Sequence, residues 1–367
     1  MRFLFYLGHP AHFHLFKNVI HSLKANGHKI KIVVKTKDVL IDLLKFEGLQ
    51  YDNILPSGRN NNLPGHIISF IKKTRRLLRI HTDFKPNLMI GTSAEIGILG
   101  RLTFTKSVIV VEDDWKRIPF FAFVSYPFGS IILTPKSCRV GIWGYKQLSY
   151  EGYHELAYLS PKYFKPDLSK IQKLYQDQDC YYIIRLVSLT AHHDFGKTGL
   201  SNKIVQNIIK ILEQNGNVYI SSERGLPQNL EKYRIPIPPE DIHSAMYYSD
   251  LVIGDGQTMV AEAAVMGTPS ICCNIFTENL GYLKELEKKY HLTYNISLKN
   301  IQELYNRIKL LISLKDIKSI WKKRREKLLY EQIEVSEFFI WFFEKFPSSI
   351  RIMKGNSRFT NKFNMRR

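Results

Sequence analysis

Residues 250 to 269 combine residue types that could hold a phosphorylated ligand. A short apolar strand at 251 to 253 leads through Gly254 and Gly256 into a helix predicted from Thr258 to Met266. The free N–H groups at the start of such a helix carry the positive end of its dipole, which anions prefer. The predicted phosphate contacts are Gly256, Gln257, Thr258 and Met259.

Glu262 follows one turn further along the same helix. A carboxylate at that place is unsuited to phosphate, but it could accept hydrogen bonds from the vicinal hydroxyls of a ribose. The alternative is an ordinary strand-to-helix turn with Glu262 in solvent. The spacing therefore allows a nucleotide site without requiring one.

Two other strand ends in the second half of the chain offer cations for a diphosphate. One strand leads to the pair His192 and His193, and the next leads to Ser222 and Arg224. Charged and polar donors of this kind can neutralise a departing diphosphate. We therefore expect these four residues to line the nucleotide site.

The first strand of the chain ends in a histidine-rich turn, His9-Pro10-Ala11-His12-Phe13-His14. Imidazole titrates near neutral pH, so His12 or His14 could bind phosphate or act as a general base. The alternative is helix capping and core packing. A metal site is not predicted, because no carboxylate or cysteine accompanies these histidines at ligand spacing.

A run of acids, Glu112-Asp113-Asp114, follows the fourth predicted strand. Glu112 or Asp113 could serve as a catalytic acid or base at a strand's carboxyl end. Helix capping by Asp113 or Asp114 is the alternative use.

These motifs are placed by short apolar strands that alternate with helical segments, a pattern typical of parallel α/β sheets. Two Rossmann-like parallel-sheet domains facing a cleft are predicted, at 1 to 160 and 161 to 346, followed by a basic disordered tail at 347 to 367. The last helix, about 330 to 346, is a candidate to pack on the first domain. The predicted strands are Arg2 to Leu7, Lys29 to Val34, Asn87 to Gly91, Ser107 to Val111, Ser130 to Leu133, Tyr181 to Val187, Asn217 to Ser221, Asp250 to Gly254 and Pro269 to Cys273.

The formal net charge of +20 calls for an anionic partner. The cations concentrate in an amphipathic helix at 65 to 80, in a cluster at 322 to 327 that precedes the aromatic stretch 338 to 343, and in the tail. Anionic lipid is the favoured partner. The basic helix and the aromatic stretch are expected to hold the protein at the membrane, which predicts a cytoplasmic protein peripheral on the inner face of the plasma membrane. Nucleic acid is less favoured because no nucleic-acid motif is present, and a merely solvated surface is the third alternative.

Four segments resemble the domain-of-unknown-function 354 family, which occurs in archaea and bacteria and is classed with glycosyltransferases of the B-type fold. They are His9 to Lys17, Glu151 to Leu159, Tyr219 to Glu223 and Gly254 to Pro269. The resemblance covers roughly Met1 to Ile312. It implies the B-type glycosyltransferase fold, but that family has no assigned reaction.

The chain is more distantly similar to the non-hydrolysing UDP-N-acetylglucosamine 2-epimerases. This similarity implies that residues 255 to 258 and Glu262 hold diphosphate and ribose, and that Glu112 matches a catalytic acid. An acid expected near Thr92 or Ser93 is absent, which argues against epimerisation.

The sequence thus predicts a metal-independent glycosyltransferase that needs no cofactor beyond its nucleotide-sugar donor, with UDP as the expected nucleotide. The acceptor would be a glycan or a lipid-linked precursor, docked on the first domain. An epimerase-like enzyme and a non-catalytic protein that binds nucleotide sugar or nucleic acid are the alternatives. Oligomeric state is left open.

Overall fold

The computed structural model describes residues 1–55, 63–175, 179–188, 199–273, 281–356 and 358–365, with backbone alone for 63–70. The chain divides into two compact units. Unit 1 consists of Met1–Tyr158 with Gln332–Arg367, and unit 2 is Leu159–Glu331.

Unit 1 contains a seven-stranded sheet in the order β3-β2-β1-β4-β5-β6-β7, with every neighbouring pair parallel. The central strands are apolar and buried except for Arg2 and Lys106 at the starts of two of them, as expected when helices cover both faces of a parallel sheet. The strand order reverses between β1 and β4, where ligands of open α/β sheets bind. The strands are β1 (Arg2–Leu7), β2 (Lys29–Lys35), β3 (Asp52–Leu55), β4 (Leu88–Gly91), β5 (Lys106–Val110), β6 (Ile131–Pro135) and β7 (Gln147–Tyr150).

The helices of the first part of unit 1 are α1 (Pro10–Ala25), α2 (Leu40–Phe46), α3 (Leu63–Phe84), α4 (Ala94–Leu102), α5 (Pro119–Ser125) and the short α6 (Leu156–Leu159). A 3-10 helix spans Gly141–Lys146. Side chains from α3, α4, α5 and this 3-10 helix share one buried core with the sheet, including Leu77, Leu99, Ala122 and Trp143. These elements therefore form one layer over one face of the sheet.

Unit 2 contains a five-stranded parallel sheet in the order β12-β11-β10-β8-β9. The order reverses between β8 and β10, so the carboxyl end of β10 lies at the topological switch point. The strands are β8 (Tyr181–Leu186), β9 (Asn217–Ser222), β10 (Leu251–Gly254), β11 (Ser270–Cys273) and β12 (Thr293–Ile296). The helices are α7 (Asn202–Leu212), α8 (Gln228–Glu231), α9 (Ile242–Tyr248), α10 (Gln257–Met266), α11 (Gly281–Lys288), α12 (Ile301–Ser313) and α13 (Ile317–Glu331).

The prediction of two parallel α/β sheets is confirmed, and all nine predicted strands are present within two residues of their expected ends. The sequence interpretation missed β3, β7 and β12. Each of these three strands lies at the edge of its sheet.

The C-terminal segment belongs to unit 1 and forms α14 (Val335–Glu344) and α15 (Ser348–Gly355). Phe339 and Phe343 of α14 are fully buried, and their ring centroids lie 6.2 Å from those of Phe16 on α1 and Phe5 on β1. The expectation that the aromatic stretch 338 to 343 holds a membrane is therefore wrong for these rings, because they form core.

The prediction of a disordered tail from Pro347 is also wrong for the described residues up to 365. After α15, a 3-10 helix at Phe359–Phe363 packs on α14, with the Phe359 ring 4.4 Å from Trp341. The tail is cationic, but its aromatic residues hold it to the unit.

The basic cluster at 322 to 327 lies on α13, and one of its members is structural. The Arg325 guanidinium donates to the carbonyl oxygens of Val265, at 3.0 Å, and Leu159, at 3.5 Å. A positive charge at the C-terminal end of α10 is favourable for that helix. In the described part of the chain, no helix has the length and apolar content needed to cross a membrane.

Candidate functional site

The amino end of α10 is open, as an anion site requires. Gly256 is the N-cap residue, in extended conformation with φ −104° and ψ 154°, and no side chain caps the helix. Residues 256–259 are all partly accessible to solvent. The predicted contacts Gly256, Gln257, Thr258 and Met259 are thus brought together on one helix end at the switch point of the sheet.

Gly256 also lies against the end of β8. A Cβ atom built on Gly256 would come within 3.0 Å of Cγ1 of Val187, a separation that real Cβ atoms essentially never show. Valine is stiff at χ1, so its methyl group cannot swing away freely. The absence of a side chain at 256 thus lets the helix start close to β8.

Glu262 is buried on α10 and faces a histidine of α9. Its Oε1 lies 3.3 Å from Nε2 of His243, which is also buried. The Phe164 ring packs edge-on against His243, with ring centroids 6.2 Å apart. Glu262 is therefore held by a partner rather than surrounded by solvent, and the sequence interpretation did not identify that partner.

Arg224 lies close to a carboxylate of its own unit. Its guanidinium is 3.6 Å from Oδ2 of Asp255 and donates to the Leu200 carbonyl. Asp255 also accepts from the backbone N–H groups of Val187, at 2.8 Å, and Leu200, at 3.0 Å. Burial raises the pKa of Asp255 even though these donors and Arg224 act to lower it. Part of the Arg224 charge is thus offset before any ligand arrives.

The predicted ligand Ser222 makes hydrogen bonds within its own turn. Its hydroxyl donates to the Arg224 carbonyl at 2.8 Å and accepts from the Arg224 N–H at 3.2 Å. Next to it, Arg185 forms an ion pair with Glu223, and Glu223 accepts from the Ser188 N–H at 3.2 Å. These contacts fix the carboxyl ends of β8 and β9 relative to each other.

Two predicted residues, His192 and His193, lie outside the described residues. Across the ranges that the structure describes, no group of three or more His, Cys, Asp or Glu side chains is arranged to hold a metal ion.

In unit 1, the histidine-rich turn forms the start of α1. His9 is the N-cap, and its Nδ1 accepts from the Ala11 N–H at 3.2 Å. His12 Nδ1 accepts from the Gly8 N–H, also at 3.2 Å. Burial, with repulsion from His9 and Lys35, lowers the pKa of His12 well below its usual value, so the ring is neutral at pH 7. Since Nδ1 accepts, the ring proton lies on Nε2, and His12 presents a donor there.

His14 does not join His12, because residues two positions apart on a helix point to different sides. The His14 ring stacks on Tyr158, with centroids 5.2 Å apart and an interplanar angle of 28°. Of the two histidines that the sequence offers for this role, His12 thus contacts the turn before α1, whereas His14 contacts Tyr158.

Glu112 lies at the carboxyl end of β5 beside His154, which follows β7. Its Oε1 accepts from the His154 N–H at 2.8 Å, and its Oε2 lies 3.6 Å from the His154 Nδ1. Burial and the nearby Glu155 carboxylate raise the pKa of Glu112 well above its usual value. Burial lowers the pKa of His154 to about 3. A carboxyl group with a raised pKa and an imidazole with a lowered pKa therefore meet here.

The other two acids of the run make local contacts. Asp113 lies 3.6 Å from Arg117, four residues later in the loop before α5, and Asp114 accepts from the Arg139 N–H at 2.7 Å. Neither contact is the helix cap that the sequence offered as the alternative, since the N-cap of α5 is Ile118 and no side chain caps that helix.

The structure contains a further buried acid that the sequence interpretation missed. Glu95, on the first turn of α4, pairs with Lys73 of α3 and accepts from the Ser93 hydroxyl. Burial would raise the pKa of Glu95, but Lys73 and the hydrogen bonds hold it below its usual value. No acid occupies position 92 or 93, and the carboxylate of Glu95 lies two positions after Ser93.

Solved structures share this fold. The S. aureus MnaA–UDP complex is 12% identical with a TM-score of 0.68, covering 95% of this chain and 98% of that chain. The UDP-GlcNAc 2-epimerase from Neisseria meningitidis bound to UDP-GlcNAc is 14% identical with a TM-score of 0.55, covering 90% and 100%. The spinosyn rhamnosyltransferase SpnG with spinosyn aglycone is 13% identical with a TM-score of 0.59, covering 92% and 98%. At these identities the likeness establishes the fold, that of B-type glycosyltransferases and UDP-GlcNAc 2-epimerases.

Among curated proteins, the uncharacterised protein MJ0665 of Methanocaldococcus jannaschii is 23% identical over 309 residues, covering 80% of this chain and 88% of that protein. The family described as protein of unknown function DUF354 matches residues 4–333. With that match across both units, the chain belongs to the DUF354 family.

Proposed function

We propose that the protein is a metal-independent glycosyltransferase that uses a nucleotide-sugar donor, with UDP as the nucleotide. The observation that carries the proposal is the open amino end of α10, with buried Glu262 one turn behind it. The helix end would bind the diphosphate through backbone N–H groups, and its dipole would stabilise the negative charge that develops on the leaving group.

Glu262 would accept hydrogen bonds from the ribose hydroxyls. His243, 3.3 Å from one carboxylate oxygen, would hold the carboxylate in position for this contact. Two of the structural neighbours support UDP as the nucleotide, since their names record UDP or UDP-GlcNAc as the bound molecule.

Arg224 would assist the leaving diphosphate with a reduced charge, because Asp255 already lies 3.6 Å from its guanidinium. We therefore assign most of the charge stabilisation to the helix end. His192 and His193 remain part of the proposal on sequence grounds alone.

Activation of the acceptor hydroxyl is assigned to unit 1, with Glu112 as the favoured base. A carboxylate whose pKa is raised takes up a proton more readily than an ordinary one, which general-base catalysis requires. His12 would instead donate a hydrogen bond through Nε2. Asp113 is less suited because Arg117 stabilises its charged form, and His14 is stacked on Tyr158. The acceptor would be a glycan or a lipid-linked precursor.

The test is calorimetric titration of the full chain with UDP and with the other nucleoside diphosphates. We expect UDP binding that falls at least about tenfold in Glu262→Ala, because two hydrogen bonds to a charged group are lost. Glu326→Ala is the matched control, since Glu326 is exposed on α13 of the same unit. Absence of nucleotide binding by the folded protein, or an equal loss in both variants, would overturn the proposal.

The role of Glu112 is tested separately by Glu112→Gln. We expect this variant to bind UDP as the wild type does and to lose sugar transfer. A variant that transfers sugar at the wild-type rate would exclude Glu112 as the base.

One observation favours a second function, UDP-sugar epimerisation. Glu112 and Glu155 are neighbouring carboxyl groups in a largely buried site, and Glu155 raises the pKa of Glu112. Such a pair could move a proton to and from a sugar carbon without an acceptor. Incubation of the protein with UDP-N-acetylglucosamine alone in D2O distinguishes the two functions. Loss of the C2 proton signal would assign epimerisation, and a retained signal would exclude it for this sugar.

A further inference from the structure

The outer surface of the α3–α4–α5 layer in unit 1 exposes nine large apolar side chains. Four of its aromatic and aliphatic side chains are exposed by 69% or more: Phe104 at 89%, Ile142 at 75%, Phe120 at 71% and Tyr145 at 69%. We call the whole surface the basic aromatic face. Its exposed apolar residues are Ile71, Leu78, Leu102, Phe104, Phe120, Phe123, Phe128, Ile142 and Tyr145.

These side chains are joined by contacts along the layer. Phe120 and Phe123 lie one turn apart on α5, and the Phe123 ring is 5.1 Å from Trp143, which follows Ile142 in the 3-10 helix. Residues three apart share one side of a helix. The α5 and 3-10 portions of the face are therefore continuous.

A cavity of about 540 Å³ links this portion to the loop after α4. Its walls include Phe104 and Phe128 together with three cations, Arg101, Lys106 and Lys146. Burial and repulsion from Arg101 lower the pKa of Lys146. The cavity thus concentrates positive charge between exposed aromatic rings.

The described part of α3 extends the same face. The His81 ring lies 2.8 Å from the Thr105 hydroxyl, which places the end of α3 beside Phe104. On α3 the exposed apolar residues Ile71 and Leu78 alternate with the exposed cations Lys72, Arg75, Arg76 and Arg79.

The charge of the layer selects an anionic partner. Residues 71 to 146 contain 13 Lys and Arg against five Asp and Glu, and only Asp83 among these acids is exposed. A second copy of the same face would be repelled by this charge. Nucleic acid would match the charge but offers no apolar phase for Leu102 or Ile142, whereas a bilayer surface offers both.

We propose that the basic aromatic face docks on the surface of an anionic phospholipid membrane, with its apolar side chains at the headgroup boundary and its cations on the phosphates. This differs from the arrangement expected from the sequence. The basic helix α3 is part of the proposed membrane surface, but the phenylalanine rings of the C-terminal aromatic stretch are buried in the core. The assignment is independent of the nucleotide site and is tested without nucleotide.

The experiment is co-sedimentation of the full chain with phosphatidylcholine vesicles, with and without phosphatidylglycerol. We expect binding only with phosphatidylglycerol, weakened by salt. Two double variants test the face, Phe120→Ser with Phe123→Ser, and Arg101→Glu with Lys106→Glu. Each should lower the partition constant about tenfold or more, because each removes one of the two contributions to interfacial binding.

Phe46→Ser is the matched control, since Phe46 is 60% exposed on α2, outside the layer. It should bind vesicles as the wild type does, and circular dichroism should show that all variants are folded. Equal binding to both vesicle types would overturn the proposal. So would an equal loss in the control, or a loss confined to the charge variant, which would indicate electrostatic attraction to any polyanion.

Discussion

Replacing Gly256 by alanine should distort the amino end of α10 through a single steric contact. The new Cβ would lie less than 3.0 Å from Cγ1 of Val187, at least about half an ångström inside the contact distance of two carbon atoms. Overpacking of this kind costs about 1–3 kcal/mol. The backbone itself is not the obstacle, because φ at Gly256 is negative. The cost should therefore come from the Val187 contact, with a smaller loss from alanine as a poorer N-cap.

The clash predicts a compensating substitution. Val187→Ala removes the obstructing methyl groups and should by itself cost about 1 kcal/mol for a half-buried valine. In the double variant, the cost should fall below the sum of the two single costs by about 1 kcal/mol or more, because the substitutions relieve each other. UDP affinity should follow the same pattern, falling about tenfold in Gly256→Ala as N–H groups move off the phosphate, and recovering in part in the double variant.

The stability cost is measured by hydrogen exchange with mass spectrometry on the peptide that spans α10, which reports on unit 2 alone. The UDP affinity is measured by calorimetric titration. Gly225→Ala is the control, because nothing lies within 4 Å of a Cβ built there. Strictly additive costs in the double variant would refute the steric explanation. So would a control as destabilised as Gly256→Ala.

Two further predictions concern the histidine–carboxylate pairs. His243→Asn should weaken UDP binding about tenfold, because Glu262 loses a charge-assisted contact worth about 1.5–3 kcal/mol; unchanged affinity in calorimetry would show that His243 does not position Glu262. His154 has a pKa of about 3 in the folded protein against an ordinary value of 6.5. The folded state thus resists protonation, so the free energy of unfolding should fall as pH decreases from about 6.5 toward 3, by up to about 1.4 kcal/mol per pH unit. Glu112 acts oppositely, since its raised pKa favours the folded state at low pH. The measurement is therefore the difference between wild type and His154→Asn in urea unfolding at stepped pH, and parallel curves would refute the assignment.

The strands that sequence could predict are those whose burial leaves a continuous apolar signal. β1 and β10 are buried along most of their length and were placed within one residue of their observed ends. The sequence pattern does not predict β3, β7 and β12, because these edge strands are only partly buried and contain polar residues, such as Asp52 and Asn53 in β3. Connection by hydrogen bonds, rather than composition, makes these segments strands.

Within the candidate site, sequence identified individual residues better than their partners. The positions of Gly256 and Glu262 relative to each other can be predicted from their spacing in the sequence, because both belong to one helix and its N-cap. The His243–Glu262 and His154–Glu112 contacts join separate elements of the sheet units, so no local pattern reports them. The burial that shifts the pKa of Glu112 is likewise a property of packing.

The return of the C-terminal segment to unit 1 has a consequence for the order of folding during synthesis. The faces of Phe5 and Phe16 remain uncovered until α14 emerges from the ribosome, after all of unit 2 has been made. Unit 2 is continuous in sequence and can complete its core first, whereas unit 1 must wait with apolar surface exposed. A fragment ending near Tyr158 should therefore be prone to aggregation, even though it carries the entire seven-stranded sheet.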